Sequence, residues 1–208
     1  MLTLKTPPTD LPITLADVKE HIGIEHTFFD NLLTNQIKAA VDLLETECNR
    51  SIMETTWEET FTSFPYAPYF GLTNPVAWEM SVGWEAPTFL TMSPLKSITS
   101  IKYYDQNNTL QTWDASNYYA QTPTNTKGYI IPLTYYPLTY WSVYARPDCV
   151  QITYKAGYDT IPERLKQAIR MIVNTMFDHR SDSEEKPQNS TLLGLDRLMD
   201  SVRTYTYV

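Results

Sequence analysis

The chain has 208 residues, of which 42% are hydrophobic and only 19% are charged, and its formal net charge is −8. This length suits one domain, or a helical part and a β part that share a core, and it would barely accommodate two independent enzymatic domains. The negative charge argues against a protein that grips nucleic acid, because phosphate binding requires Lys and Arg side chains. No apolar run reaches the roughly eighteen residues that a membrane-spanning helix needs.

The first residues and the cysteines indicate the cellular compartment. Residues 1–10 lack the apolar segment of a signal peptide, so we expect the protein to be made and kept in a cytoplasm. Cys48 and Cys149 show no CxxC spacing. Two reduced thiols are therefore predicted, and a disulfide between them is the less favoured alternative.

The N-terminal region predicts an arm followed by a short helix. Three prolines interrupt residues 1–12, which are therefore predicted to form an extended arm. Thr14 and Asp17 then have the spacing of a capping box, in which each side chain accepts a hydrogen bond from the backbone N–H of the other. They predict a helix from about Leu15 to Ile22, and Gly23 is placed to end it.

A longer second helix is predicted because Thr27 and Asp30 repeat the same start signal. Its apolar residues recur at helical spacing and would form one buried stripe. The stripe consists of Phe29, Leu33, Ile37, Ala40, Val41, Leu44 and Cys48. The two helices together are predicted to form a hairpin.

A β part is predicted over residues 51–158, where short runs rich in Thr, Tyr, Trp, Ile and Val are separated by Pro, Gly and Asn. The predicted strands are Thr55–Phe64, Ser97–Tyr104, a strand reaching Trp113, Tyr118–Gln121, Tyr129–Ile131 and Val150–Tyr154. Two stretches, 65–87 and 132–147, are dense in proline and aromatic residues without clear periodicity. They are predicted to be long loops, which in compact domains are often functional.

Helical patterns return near the C terminus. Thr160 and Glu163 form another capping box, and the polar run 180–190 separates that helix from a last amphipathic one. The last helix places Leu192, Leu195, Leu198, Met199 and Val202 on one face. Residues 204–208 alternate polar and bulky apolar side chains, which is typical of a strand.

These elements predict an α+β fold in which a bundle of helices from both chain ends, residues 13–50 and 159–203, surrounds an inserted antiparallel β region with long aromatic loops. The helices are expected to pack together because no other segment offers their apolar stripes enough surface. Residues 204–208 form a separate strand-like tail. Such a strand has unsatisfied backbone groups that a partner's sheet edge could pair with, and a frayed terminus is the alternative.

No catalytic constellation is found in the sequence. His21 and His26 are separated by Gly23, which spoils the spacing of two ligands on one helix face, and His179 suits a helix C terminus. The adjacent pair Glu58 and Glu59 would point to opposite faces of a strand, and both are interpreted as solvated charges. With six glycines and no phosphate loop, the chain is predicted to be no enzyme and to bind no metal or cofactor. A hydrolase is the least favoured alternative.

Several blocks of sequence resemble the head-tail connector, or adaptor, family of tailed bacteriophages. They are the opening helix ITLADVKEHIGI at 13–24, IKAA at 37–40, Thr56-Trp57, PLKSITSIKY at 94–103, YKAGY at 154–158 and IPERLKQA at 161–168. Their order and spacing cover most of the chain from Pro12 to Arg180. This chain departs from the family in having Asn49-Arg50 where Gly-Arg is frequent, and in a longer, more aromatic loop at 65–87.

The resemblance implies a structural subunit of the virion neck. Such a subunit would be assembled in the host cytoplasm into a dodecameric ring beneath the portal protein, extending the DNA channel and docking the tail or neck. DNA would pass without sequence-specific binding, and no membrane is involved. The excess of 24 acidic over 16 basic residues favours a channel wall that is mainly acidic or neutral.

The expected contact residues fall into two groups. For the portal they are Leu192, Leu195, Leu198, Tyr205, Tyr207 and Val208, because the C-terminal segment commonly docks there in the resembling family. For the tail or a neighbouring subunit they are Tyr66, Tyr69, Phe70, Trp78, Trp84, Tyr140 and Trp141. An alternative function is an aromatic-rich β module of a virion that binds carbohydrate or a receptor, because Trp and Tyr also stack on sugar rings.

Overall fold

The computed structural model describes residues 1–62, 88–123, 127–132, 143–178 and 190–203, without the side chains of 132 and 190–193. The chain forms two compact units. The β unit comprises Met1–Thr6 and Thr55–Ala156, and the helical unit comprises Pro7–Glu54 and Gly157–Val208. The fold is mixed α+β, as predicted.

The β unit contains eight described strands in two antiparallel sheets. The strands are β1 (Leu2–Thr6), β2 (Thr55–Phe61), β3 (Thr88–Phe89), β4 (Leu95–Tyr104), β5 (Leu110–Trp113), β6 (Tyr118–Gln121), β7 (Tyr129–Pro132) and β8 (Val150–Ala156). One sheet has the order β1-β2-β8-β4-β5 and the other has the order β3-β7-β6. The long central strands β2, β8 and β4 therefore come from distant parts of the sequence.

The five-stranded sheet has one apolar face because its central strand alternates. In β8, Val150, Ile152 and Tyr154 are buried, whereas Gln151 and Thr153 between them are half-buried. This is the predicted period-two pattern of a strand with one covered side. Buried residues from neighbouring segments complete this core, namely Leu90, Met92, Leu95, Ile101, Ile130, Cys149 and Ala156.

The helical unit contains α1 (Leu15–Ile22), α2 (Asp30–Cys48), α3 (Glu163–Asp178) and α4 (Ser190–Val202). The stripes of α2 and α3 form one core because both repeat apolar residues at helical spacing. From the four helices the core takes Val18, Leu33, Ile37, Ala40, Leu44, Cys48, Leu165, Ala168, Ile169, Ile172, Val173, Phe177, Met199 and Val202. Burial of each large aliphatic side chain contributes about 1.5–3 kcal/mol.

The helix ends follow the local sequence in one case and tertiary packing in another. The capping box of α1 is confirmed, since Asp17 N–H donates to Thr14 Oγ1 at 3.1 Å and Thr14 N–H donates to Asp17 Oδ2 at 3.2 Å. The predicted start of α2 at Thr27 is wrong, because the helix begins at Asp30 with Phe29 at its cap. The Phe29 ring instead packs against Phe177, with centroids 5.2 Å apart.

The structure also changes the predicted boundaries. Residues 1–12 are expected to be a single arm, but Leu2–Thr6 is a strand that pairs with β2, a distant segment of the sequence. The chain consequently passes between the units after Thr6, Glu54 and Ala156 rather than at 50 and 158. Both cysteines are free and buried.

Candidate interaction surfaces

Most predicted contact residues lie outside the described part of the chain. This holds for Tyr66, Tyr69, Phe70, Trp78, Trp84, Tyr140, Trp141, Tyr205, Tyr207 and Val208. Of the three leucines, Leu195 and Leu198 are half-buried and pack against the helical core. Leu192 lies in α4, but its side chain is outside the description. Leu195 and Leu198 therefore attach α4 to its own helical unit.

Arg50 fixes the end of α4 from inside the helical unit. Its side chain is only 4% exposed, its Nε donates to the carbonyl of Val202, and a terminal nitrogen donates to the hydroxyl of Tyr158. The guanidinium carbon also lies 5.8 Å from the centroid of the Tyr158 ring. The last turn of a helix leaves carbonyl groups without intrahelical partners and carries partial negative charge, so a buried cation is well placed there.

Arg203 makes a second attachment at the same place, on the surface. Its Nε donates to the Glu47 carbonyl at 3.0 Å, and terminal nitrogens lie 3.3 Å from the Glu47 carboxylate and 3.4 Å from Asp200. Arg50 and Arg203 thus join the C-terminal turns of α2 and α4. They fix the position from which residues 204–208 continue.

The turn after α2 is held by a half-buried carboxyl group. Asn49 adopts the left-handed conformation with φ of 52°, which Asn tolerates better than most residues, so the departure from the Gly-Arg pattern is accommodated. Glu45 accepts a hydrogen bond from the Ile52 N–H at 2.7 Å. Burial raises the pKa of Glu45 to about 7. The turn that carries Arg50 is therefore held by the conformation of Asn49 before it and by the Glu45–Ile52 hydrogen bond after it.

Glu59 anchors the chain where it returns from the predicted loop 65–87. It is 7% exposed, so its interpretation as a solvated charge is wrong. Its carboxylate accepts from Thr91 N–H at 3.0 Å, Thr91 Oγ1 at 2.6 Å and the Tyr154 hydroxyl at 3.2 Å. The Tyr154 hydroxyl in turn accepts from Met92 N–H at 3.2 Å, and burial raises the pKa of Tyr154. Each carboxylate oxygen of Glu59 has a partner, so the group serves to hold the backbone at 91–92.

Arg146 has a comparable role in the described end of the predicted loop 132–147. Its guanidinium lies 3.9 Å from the centroid of the Tyr104 ring and binds Asp148 through two nitrogens at 2.6 and 2.8 Å. These hydrogen bonds hold the pKa of Asp148 below its usual range. Val143 also forms a bridge with Asp105. Side chains of the five-stranded sheet thus hold described residues close to the end of each predicted loop, and rigid scaffolds commonly present binding loops in this way.

Among the described residues, no group of three His, Cys, Asp or Glu side chains could hold a metal ion. No helix in the same part of the chain is long and apolar enough to cross a membrane. His21 and His26 are both exposed, and His179 lies outside the description. The residues that the sequence analysis missed, Arg50, Arg203 and Glu59, are charged groups that each have a hydrogen-bond partner more than thirty residues away in sequence. No local pattern identifies such partners.

Residues 12–70 match the family described as "Phage gp6-like head-tail connector protein". This match confirms the resemblance found in the sequence. It covers α1, α2 and β2, which include the capped opening helix on which the resemblance rests. No curated protein matches the chain.

Solved structures with a similar fold come from gene transfer agent (GTA) particles. A chain in "Virion of native gene transfer agent (GTA) particle" is 16% identical, with a TM-score of 0.71. Chains in "Neck of empty GTA particle computed with C6 symmetry" and "Neck of native GTA particle computed with C12 symmetry" are 15% and 16% identical, with TM-scores of 0.69 and 0.66. Each comparison covers 100% of this chain and 97% of the other. The protein therefore shares its whole fold with these chains.

Proposed function

We propose that this protein is a structural head-tail connector subunit that forms a ring in the virion neck, beneath a portal protein, and extends the DNA channel. The observation that carries the proposal is the likeness over the full chain to a protein in a neck computed with C12 symmetry, together with the family match at 12–70. A subunit repeated around such an axis makes head-to-tail contacts that must close into a ring. A dodecamer is the stoichiometry we expect.

The distribution of charge supports a channel wall formed by the helical unit. That unit contains 17 acidic and 10 basic residues, whereas the β unit contains 7 acidic and 6 basic residues. Nearly all of the net charge of −8 therefore belongs to the helical unit. An acidic wall repels phosphates at short range and lets DNA slide without being held.

The portal contact is assigned to the C-terminal tail. Since Leu195 and Leu198 pack inward, the portal contact is proposed for Tyr205, Tyr207 and Val208. In an alternating segment the two tyrosines share one side, and Val208 lies on the other. Leu192, at the start of α4, stays a candidate. Pairing of the tail with a sheet edge of the portal would satisfy its backbone groups by β-augmentation.

The aromatic residues of 65–87 and 132–147 are proposed to contact the tail or a neighbouring subunit. Their large rings combine contact area with polar tips, as at many protein interfaces. The carbohydrate- or receptor-binding alternative uses the same residues. The family match favours the connector, because it covers α1 and α2, two of the four helices that the alternative leaves without a role.

The ring proposal is tested by imaging and native mass spectrometry of the purified protein, alone and mixed with the portal protein of the same particle. Closed rings, or a complex with about twelve copies per portal, are the expected result. Monomers or dimers in both samples would overturn it. A glycan array provides the contrast, because selective glycan binding by a monomer would favour the carbohydrate-binding alternative.

The tail contact is tested by deleting residues 204–208 and measuring portal binding together with the melting temperature of the free subunit. We expect binding to fall at least about tenfold while the melting temperature changes little, because the tail makes its contacts with the partner. The double substitution of Tyr205 and Tyr207 by Ser should reproduce the loss. Substitution of Thr204 and Thr206 by Ala, on the other side of the strand, is the matched control. Full binding by the truncated protein would overturn the assignment.

A further inference from the structure

The five-stranded sheet has a second face, which is polar and which the described chain leaves open. Its side chains follow from the strand register, because residues paired across neighbouring strands lie on the same face. One row contains Thr3, Glu58, Thr153 and Ser100, a second contains Thr56, Lys155 and Ser97, and a third contains Thr60, Gln151, Lys102 and Thr112. These residues, together with Lys5, are called the open sheet face below.

Burial separates the two faces of this sheet clearly. On the opposite face Glu59, Ile152 and Ile101 form one register row and are 7%, 2% and 1% exposed. Every residue of the open sheet face is half-buried or exposed. The open face is also lined mainly by short hydroxyl side chains, which leave a flat surface that a partner can approach closely.

The open sheet face carries the opposite charge to the rest of the protein. The charged residues among those named are Lys5, Lys102, Lys155 and Glu58, and Glu58 pairs with Lys5 at a distance of 2.8 Å. The neighbouring Asp148 hydrogen-bonds Gln151 and is paired with Arg146, so Asp148 and Arg146 together add no net charge. The face therefore has an excess of two positive charges, whereas the helical unit has an excess of seven negative charges. Surfaces of opposite charge attract each other and align during association.

We propose that the open sheet face of one subunit docks on the acidic helical unit of a neighbouring copy and forms part of the ring contact. This inference rests on the proposed ring and specifies which surfaces meet. A second copy is the favoured occupant because each subunit carries both complementary surfaces, as a repeated head-to-tail contact requires. DNA is disfavoured because proteins that hold DNA neutralise about six to ten phosphates, more than three lysines can.

The contact is tested on rings formed by the purified protein, or by the protein with its portal, from a mixture of isotopically labelled and unlabelled copies. A zero-length carbodiimide reagent joins a lysine amine to a carboxylate that it touches. We expect links between Lys102 or Lys155 of one copy and acidic residues of the helical unit of another. Rings whose links between copies lie elsewhere would overturn the inference and leave the ring intact. Failure to form any ring would overturn the proposed function as well.

Charge reversal supplies the second measurement. Lys102→Glu and Lys155→Glu are each expected to weaken ring formation about tenfold or more. Ring formation by the wild-type protein should also weaken as the salt concentration is raised. Lys38→Glu, at an exposed position of α2, changes the net charge equally and should not weaken assembly, because it makes the helical unit more acidic. Lys155→Gln covers the case in which the reversed variant fails to fold. Unchanged ring assembly by both the Lys102→Glu and the Lys155→Glu variants would contradict the proposal. So would binding of DNA by the wild-type protein in a mobility-shift assay, if the two variants lost that binding but still formed rings.

Discussion

Replacement of Arg50 by Met tests whether the buried guanidinium fixes the end of α4. Met keeps the length and apolar stem of the side chain but removes the donors to the Val202 carbonyl and the Tyr158 hydroxyl. A hydrogen bond to a charged group contributes about 1.5–3 kcal/mol, and a buried carbonyl left without a partner costs about 1–3 kcal/mol. Because Tyr158 is half-buried and can bind water instead, we expect Arg50→Met to lower the free energy of unfolding of the helical unit by about 2–4 kcal/mol.

The matched control is Arg203→Met, which removes an arginine from the same pair of helix ends. Its side chain is 31% exposed and its ion pairs with Glu47 and Asp200 are at the surface, so the expected loss is below about 1 kcal/mol. Urea unfolding followed by the helical circular dichroism signal measures both variants, and in thermal scans Arg50→Met should melt about 5–15 °C lower. Equal losses in the two variants, or a smaller loss for Arg50→Met, would refute the reasoning.

Two further predictions concern the turn after α2 and its neighbour. The pKa of Glu45 is raised from 4.5 to about 7, so between these pH values the folded state holds a proton that the unfolded state has lost, and the free energy of unfolding should fall as pH rises. Glu45→Gln should remove about 1–3 kcal/mol of this change with pH, as measured by urea titrations at several pH values. An unchanged pH dependence would contradict the burial argument. Gly157 has φ of 138°, and a Cβ there would lie 2.3 Å from the Met53 carbonyl oxygen. Gly157→Ala should therefore lower the free energy of unfolding by more than about 2 kcal/mol in the same assay. The control is Gly23→Ala, which has open space around it and bears only the cost of its φ of 79°. Equal losses for the two glycines would argue against the clash.

The sequence predicts the elements whose signals are local. Thr14, Asp17 and Gly23 define α1 correctly, because capping depends on residues within one or two turns. The alternation in β8 likewise shows which side chains face the core. In both cases the information lies within about ten residues of the element it specifies.

The elements that were missed depend on distant partners. β1 is only five residues long and lies beside prolines, and its strand character comes from pairing with β2. The start of α2 moves from Thr27 to Asp30 because Phe29 packs on Phe177, which outweighs a capping bond of about 1 kcal/mol. The buried positions of Arg50 and Glu59 follow the same rule, since charged residues are usually exposed and only a tertiary partner makes burial favourable.

The chain enters and leaves the long segment of the β unit, Thr55–Ala156, at neighbouring points. Thr55 and Ala156, the first residue of β2 and the last of β8, are register partners, so two of the three connections between the units lie side by side on adjacent strands. Insertions whose ends are close together disturb the rest of a fold least. The turns that precede and follow this insertion are constrained within the helical unit by Glu45 and by Gly157. The core of the helical unit is formed by residues of that unit alone, so substitutions in the aromatic stretches 65–87 and 132–147 remove none of its buried side chains.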